Sequence, residues 1–399
     1  MNVRRSAAVL AATVVIGTAA PAAAASPSPS PSSPSGLYGS TDPTYDGVWR
    51  QSLALIALHQ VDVEPAAAAV GWLAGQQCAN GAFPAFRADP AKACDAKVMV
   101  DTNSTAAAVQ ALSASGGHET ETGKAVTWLK SAQNKDGGWG YTPGGASDAN
   151  STSVVIGALR ASGADPAKSL KGGKSPYDAL LRLSLPCADA GAFAYQPDKK
   201  GKLTANADAT AAAVVGALGQ DMVSVKAGAE KHATCTDAAR PTPGQAAANG
   251  AAYLAKAVAK DGHLTSALPG SENQPDYGNT ADAVVALAAQ GGTAAAAGPV
   301  RWLERNSAKW AAQSGPAAYA QLILAARTGG ADPRDFGGTD LVKRLTATGP
   351  APVPTSTPTP TIKSQDDSGT SVWWTVGAGL AAGAGIGFLL SSRNKRKQP

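Results

Sequence analysis

Aromatic residues are scarce, at 5% of 399 residues, and the chain has three methionines, four histidines and four cysteines. So small a π-surface leaves little with which to stabilise a cation. His59, His118, His232 and His263 show no ligand spacing, and the cysteines lie far apart, which argues against zinc. A helix–loop–helix calcium loop needs an acid at its twelfth position. Counted from Asp101 that position is Leu112, and from Asp148 it is Leu159. No G-x-S-x-G nucleophile elbow occurs. No cofactor or metal is therefore expected. The net charge is +5, but removing Arg4, Arg5, Arg393, Lys395, Arg396 and Lys397 leaves −1 for the remainder. A near-neutral domain has no electrostatic footprint for nucleic acid.

The ends carry targeting signals. Arg4 and Arg5 precede the apolar run Ala7–Ala20 and the small-residue site Ala23-Ala24-Ala25, so residues 1–25 are read as a signal peptide. Residues 372–390 are uncharged, with Trp373 and Trp374 at one end and the basic tail 391–399 at the other. That pattern predicts one transmembrane helix with the tail in the cytoplasm and the main domain outside. The Ser/Pro-rich stretch 26–44 and the Pro/Thr-rich stretch 347–371 read as extended linkers around a domain at 45–346. An oxidising location makes disulfides the default for Cys78, Cys94, Cys187 and Cys235. Of the three pairings, Cys78–Cys94 and Cys187–Cys235 are favoured, because Cys78 and Cys187 occupy equivalent places in their repeats.

What the domain does contain is a repeat. A helix-like run at 125–130 leads to Gln133-Asn134-Lys135-Asp136-Gly137-Gly138-Trp139, then to Asp148-Ala149-Asn150-Ser151-Thr152 and a second apolar run. A period of roughly 50 residues with two helices per unit signals stacked helical hairpins. Such units supply one another's core. Ala/Val/Leu-rich segments at 49–58, 105–113, 154–160, 211–218, 281–288 and 317–326 predict inner helices. More charged segments at 65–75, 125–132, 177–184, 246–259, 300–309 and 339–345 predict outer ones. The pairs Glu64-Pro65, Asp165-Pro166 and Asp332-Pro333 read as starts of outer helices. The expected fold is all-α, a closed α6–α6 toroid of six hairpins.

Gln133-x-x-Asp136-Gly137-Gly138-Trp139 resembles the Q-x-x-D-G-x-W motif of the squalene–hopene cyclase and protein prenyltransferase toroid superfamily. Gln77-Cys78-Ala79-Asn80-Gly81-Ala82-Phe83 is a looser copy, and 260–264 and 190–193 are weaker ones. The resemblance covers most of 45–346 and implies the fold more than an activity, since the motif is a structural clasp. The functional motifs that the resemblance would imply are absent: D-x-D-D, clustered metal-binding aspartates, a prenyltransferase zinc site and G-C-G-E-Q.

A second motif opens the inner helices. Asp101-Thr102-Asn103-Ser104-Thr105, Asp148–Thr152 and Asp276-Tyr277-Gly278-Asn279-Thr280 align without gaps. Asn206-Ala207-Asp208-Ala209-Thr210 is a fourth copy, its register open by one residue. In a toroid these helix starts share one rim, where free N–H groups and positive dipole ends converge. Asp101, Asn103, Thr105, Asp148, Asn150, Thr152, Asp208, Asp276, Asn279 and Thr280 are thus candidate ligand contacts, with Trp139 and Tyr141 from the adjacent loop. Each Asp, Asn or Thr is also an ordinary helix cap, and Trp139 an ordinary packing residue.

The functional expectation is a membrane-anchored, non-catalytic toroid outside the cell that binds a small molecule or a second surface protein. A corrinoid is the first candidate, because the cobalamin carriers share the toroid. The alternative is an extracytoplasmic enzyme of the prenyltransferase/terpene cyclase-like class acting on isoprenoid or glycan substrates. Paired carboxylates among Asp101, Asp148, Asp208 and Asp276 would suit a glycosidase.

Overall fold

Small side chains and few charges let the inner segments form helices buried on most sides. In a computed structural model, which describes residues 35–354 apart from Pro269, six such helices form a ring. They are α1 (Gly47–Gln60), α3 (Thr102–Ser115), α5 (Ala149–Ala161), α7 (Ala207–Ala217), α9 (Tyr277–Gly291) and α12 (Pro316–Gly329). Each packs against the next, and α12 packs against α1, so the ring closes. The outer layer is α2 (Ala67–Gly75), α4 (Glu119–Ala132), α6 (Pro176–Leu183), α8 (Pro243–Val258), α10 (Thr293–Asn306) and α13 (Leu341–Thr346). The fold is the expected closed toroid. One short helix, α11 (Ala308–Ser314), is additional: the chain turns at Ser307 and crosses to the start of α12.

Close approach of inner helices depends on missing side chains. A Cβ on Gly216 of α7 would lie 2.6 Å from Ser153 Oγ on α5, and one on Gly157 would lie 3.0 Å from the Gln110 amide on α3. The apolar faces of the two layers merge into a continuous core that includes Leu55, Leu112, Leu129, Ile156, Leu180, Leu254, Leu287 and Ile323. Burial of that surface is the main stabilising contribution.

The ring is sealed where its chain ends meet. Gln51 of α1 accepts the Tyr38 N–H (2.8 Å) and donates to the carbonyls of Gly36 and Ala69 (both 2.9 Å). Gly39 N–H donates to Thr348 (2.8 Å), and Tyr38 is fully buried. The toroid therefore reaches into both stretches assigned to linkers, 26–44 and 347–371. A linker reading from Pro and Ser content alone misses that a single aromatic can anchor such a strand.

The acid–proline pairs also act differently from expectation. Asp165 caps the short 3-10 turn Pro166–Lys168, and Asp332 accepts the Arg334 N–H at 2.8 Å within a turn. Their outer helices start later, capped by Ser175 and Asp340. Residue 65 precedes α2, whose N-cap position is Ala66. The chain must first cross the end of the barrel, so the pair makes the corner and another residue caps the helix. Both favoured disulfides are formed, Cys78–Cys94 and Cys187–Cys235. The expected signal peptide and the span at 372–390 lie outside the described residues, and no helix among the described residues is long and apolar enough to cross a membrane.

Candidate active site in the barrel

The two repeated motifs meet in one joint. Gln133 Nε2 donates to the carbonyls of Gly137 (2.8 Å) and Ser169 (2.9 Å), tying its loop to the next hairpin. Gly137 has φ +89°, and a Cβ there would collide with the Ser175 carbonyl, so only glycine suits this turn. Trp139 is fully buried and its indole N–H donates to Leu129 O (2.7 Å). Its backbone N–H donates to the hydroxyl of Thr152 (3.1 Å). Phe83 with Thr105 (2.9 Å), Phe193 with Thr210 (2.9 Å) and Leu264 with Thr280 (3.0 Å) repeat this contact. Leu264 lies in a two-residue strand, Leu264–Thr265, that pairs antiparallel with Pro275–Asp276.

Most of the expected rim residues are thereby committed to structure. Asp101, Asp148 and Asp276 are N-caps whose Oδ1 accepts the N–H of Ser104 (2.7 Å), Ser151 (2.7 Å) and Asn279 (3.0 Å). Asn206 does the same for Ala209 (2.8 Å), which fixes the fourth copy without a shift. Burial pushes the carboxyls of Asp101 and Asp148 up, against the N–H groups that hold them ionised. The first helical N–H groups are also taken: Thr102 donates to Tyr141 O (2.8 Å) and Ala149 to Tyr195 O (3.1 Å). At these two helix starts, N–H groups expected to be free at the rim are thus taken by neighbouring loops. Asn279 turns back to Asp276 (2.7 Å), and the Tyr141 ring is about half exposed on a rim loop.

The open space lies inside the ring instead. A cavity of about 250 Å³ runs along the barrel, and three candidate residues face it: Asn103, Asn150 and Asp208. With the fourth copy in register, these occupy the same position, two residues after the cap. Gly278 holds that position in α9, and Asp282 enters one turn deeper. The lining follows helical spacing, 150/153/154/157 on α5 and 208/211/212/215 on α7. Leu53, Val154, Val215, Val285 and Leu324 make the wall largely apolar, and Trp49 is its one aromatic among the described residues.

A long connection closes the inner-helix C-terminal end. Between α7 and α8 the chain runs from residue 218 to 242 without a helix and places Met222 and Val225 in the cavity. Gln110 Oε1 accepts the Met222 N–H (2.8 Å), and Gln60 Nε2 donates to Val223 O (2.8 Å). Asp221 is turned into the segment's own turn, accepting from Ser224 N–H (2.7 Å). A connection of this length with no helix is uncommon and often functional.

Asp208 and Asp282 give the cavity its chemistry. Asn150 Nδ2 donates to Asp208 Oδ2 (2.7 Å), yet burial raises the Asp208 carboxyl despite that bond, with Asp276 adding repulsion. Asp282 has only long contacts to Gln321 Nε2 (3.4 and 3.5 Å). It keeps some surface open to the cavity, but it is enclosed by the barrel wall, and its carboxyl is pushed up to about 7 by desolvation and by Asp208. An acid of that kind keeps a substantial protonated fraction near neutral pH and can donate. Asp282, Ser153 and Gln321 were not among the residues singled out from sequence. The signal was present: each is a polar residue on the axis-facing stripe of an otherwise Ala/Val/Leu helix.

No protein-family model and no curated protein matches the chain. Among solved structures it is similar to ent-copalyl diphosphate synthase from Streptomyces platensis, at 17% identity and TM-score 0.48, over 71% of this chain and 50% of that one. The chain thus spans about half the length of that enzyme. It is also similar to a protein from Actinoplanes (17% identity, TM-score 0.33, covering 70% of this chain and 99% of that one). A third is the type II terpene cyclase MstE from Scytonema in complex with geranylgeranyl dihydroxybenzoate (12% identity, TM-score 0.34, covering 70% and 98%).

Proposed function

We propose that this chain is an extracytoplasmic enzyme of the terpene cyclase-like class, in which Asp282 protonates a small isoprenoid-like substrate inside the barrel. The observation that carries this reading is the placement of a weakly held carboxyl, raised to about 7, on the largely apolar wall of an enclosed cavity. Such a site is suited to delivering a proton to a carbon that water would protonate slowly. The Asp282 O–H bond breaks as the alkene π pair forms a new C–H bond. The resulting cation loses a neighbouring proton to a carboxylate, which regenerates the acid and gives net isomerisation or ring closure. Asp208, held by Asn150, supplies negative charge close to the developing cation. The acid comes from α9 in place of a D-x-D-D string.

Corrinoid capture finds less support. The cavity, at about 250 Å³, is far too small to enclose a corrinoid ring, and the rim groups that would grip one are engaged in capping. A location outside the cytoplasm is favoured by the two disulfides, with tethering through 372–390. The test is incubation of the full-length protein with short isoprenoid alkenes and alcohols in deuterated water, followed by mass spectrometry. Products carrying one deuterium on carbon, lost in Asp282→Asn, support the reading. Binding without deuterium uptake in any substrate returns the protein to the non-catalytic class.

A further inference from the structure

Three polar atoms of the cavity lining are left without partners. Asn103 Oδ1 and Asn150 Oδ1 are buried and have no hydrogen-bond partner. Asn150 cannot turn its amide round, because its Nδ2 is committed to Asp208. Ser153 is 7% exposed, lines the cavity, and its hydroxyl is also unpartnered. Two buried hydroxyls within other inner helices bond back to the preceding turn: Ser52 donates to Val48 O (2.7 Å) and Thr328 to Leu324 O (2.8 Å). Ser153 has that option and does not use it. Unsatisfied buried polar atoms are costly in isolation and indicate a missing partner. Around them stand Asp208, Asp282 and Asp221, and no Lys, Arg or His lines the cavity among the described residues.

We infer that the cavity selects an uncharged ligand, a short apolar chain ending in a hydroxyl group, and turns away isoprenoid diphosphates. The inference rests on the reading of the cavity as a substrate site. A hydroxyl gives its proton to Asn103 or Asn150 Oδ1 and accepts from Ser153. A diphosphate brings several negative charges into a space that holds three aspartates and no cationic side chain among the described residues. Its desolvation would go uncompensated. The volume, just under the roughly 300–1,000 Å³ of sites for drug-sized ligands, suits a short isoprenoid alcohol.

Three probes separate the contributions: geraniol, geranyl methyl ether and geranyl diphosphate. Each is titrated calorimetrically into the full-length chain in amphipol, with protein-free amphipol as blank, and the diphosphate also with magnesium. Geraniol is expected to bind about 10-fold tighter than the ether, the worth of one good hydrogen bond, and the diphosphate not at all. Asn103→Leu should shrink the geraniol-to-ether ratio, because it removes an acceptor that only the alcohol can use, whereas Ser153→Ala should weaken both probes, because it removes a donor that both can use. Diphosphate affinity equal to that of geraniol, an ether that matches geraniol, or no binding by any probe overturns the inference. Turnover separates it from the catalytic reading. Geraniol bound in the stated order but returned without deuterium sinks catalysis alone, and a diphosphate bound and converted sinks only the ligand class.

Discussion

The hydroxyl of Thr152 receives the backbone N–H of Trp139, and that single bond ties the clasp motif of one loop to the first turn of an inner helix. Thr105, Thr210 and Thr280 make the same bond to Phe83, Phe193 and Leu264, and all four threonines are fully buried. Thr152→Val keeps the shape but leaves the Trp139 N–H unpaired. It should cost about 1–3 kcal/mol, read as a lower thermal midpoint, while ligand affinity in the cavity stays unchanged.

The capping aspartates should behave alike. Asp148→Ala removes the acceptor for both the Ser151 N–H and its hydroxyl (2.7 and 2.8 Å). Loss of about 1–2 kcal/mol is expected, again without an effect on binding. If geraniol binding to Asp148→Ala falls more than its stability explains, the rim is a ligand surface after all.

Both substitutions bear on what the sequence made legible. The hairpin count, the ring and the disulfides were readable because period, apolar patterning and Cys position in the repeat are local properties. Which way a polar residue turns was not. Asp148 and Asp208 both open inner helices, yet one folds back on its own N–H groups and the other faces the axis, because Asn206 had already taken the cap position. Asp282 lies outside the repeated motif, so the alignment passed over it. The crossing loop at 218–242 has no counterpart in the other repeats and could not be placed by analogy.

The pH dependence of stability follows from Asp282. Its folded-state value is raised to about 7 from 3.8, so folding favours the neutral acid. The contribution is fully present below pH 3.8 and is lost as the pH rises through about 7. Asp282→Asn, which mimics the neutral acid, should therefore match the parent at pH 4. At pH 8 it should be more stable by about 4 kcal/mol, roughly 6 °C in thermal midpoint. Catalysis should show the opposite dependence on the residue: parent activity declines above pH 7 and the variant has none at any pH.

Removing the Cys187–Cys235 bridge should loosen the crossing connection, since the bond ties it to the turn after α6 across 48 residues. The chain-entropy contribution of such a loop is about 3–4 kcal/mol. The double Cys→Ser variant should show a lower urea midpoint that reducing agent no longer changes for this bond. Amides within 219–242 should exchange faster than those of α3 or α5.

That connection also forms the cavity's end wall, which makes Gln110 the most informative single position there. Its Oε1 holds the Met222 N–H at 2.8 Å, and its Nε2 reaches Val154 O at 3.2 Å across the α3–α5 contact. Gln110→Ala removes both bonds and leaves space where Gly157 had accommodated the amide. Met222 should then leave the cavity more often, because the Gln60 contacts are left as the side-chain hydrogen bonds that hold residues 222–223 to the ring. Exchange at the Met222 amide should rise at least 10-fold, equivalent to about 1.4 kcal/mol, while α7 amides keep their protection. Geraniol affinity should fall in parallel, since an apolar ligand loses one wall to water. A Met222 amide that exchanges as slowly in the variant as in the parent would mean that the wall is held by packing of Val225 and Met222 alone.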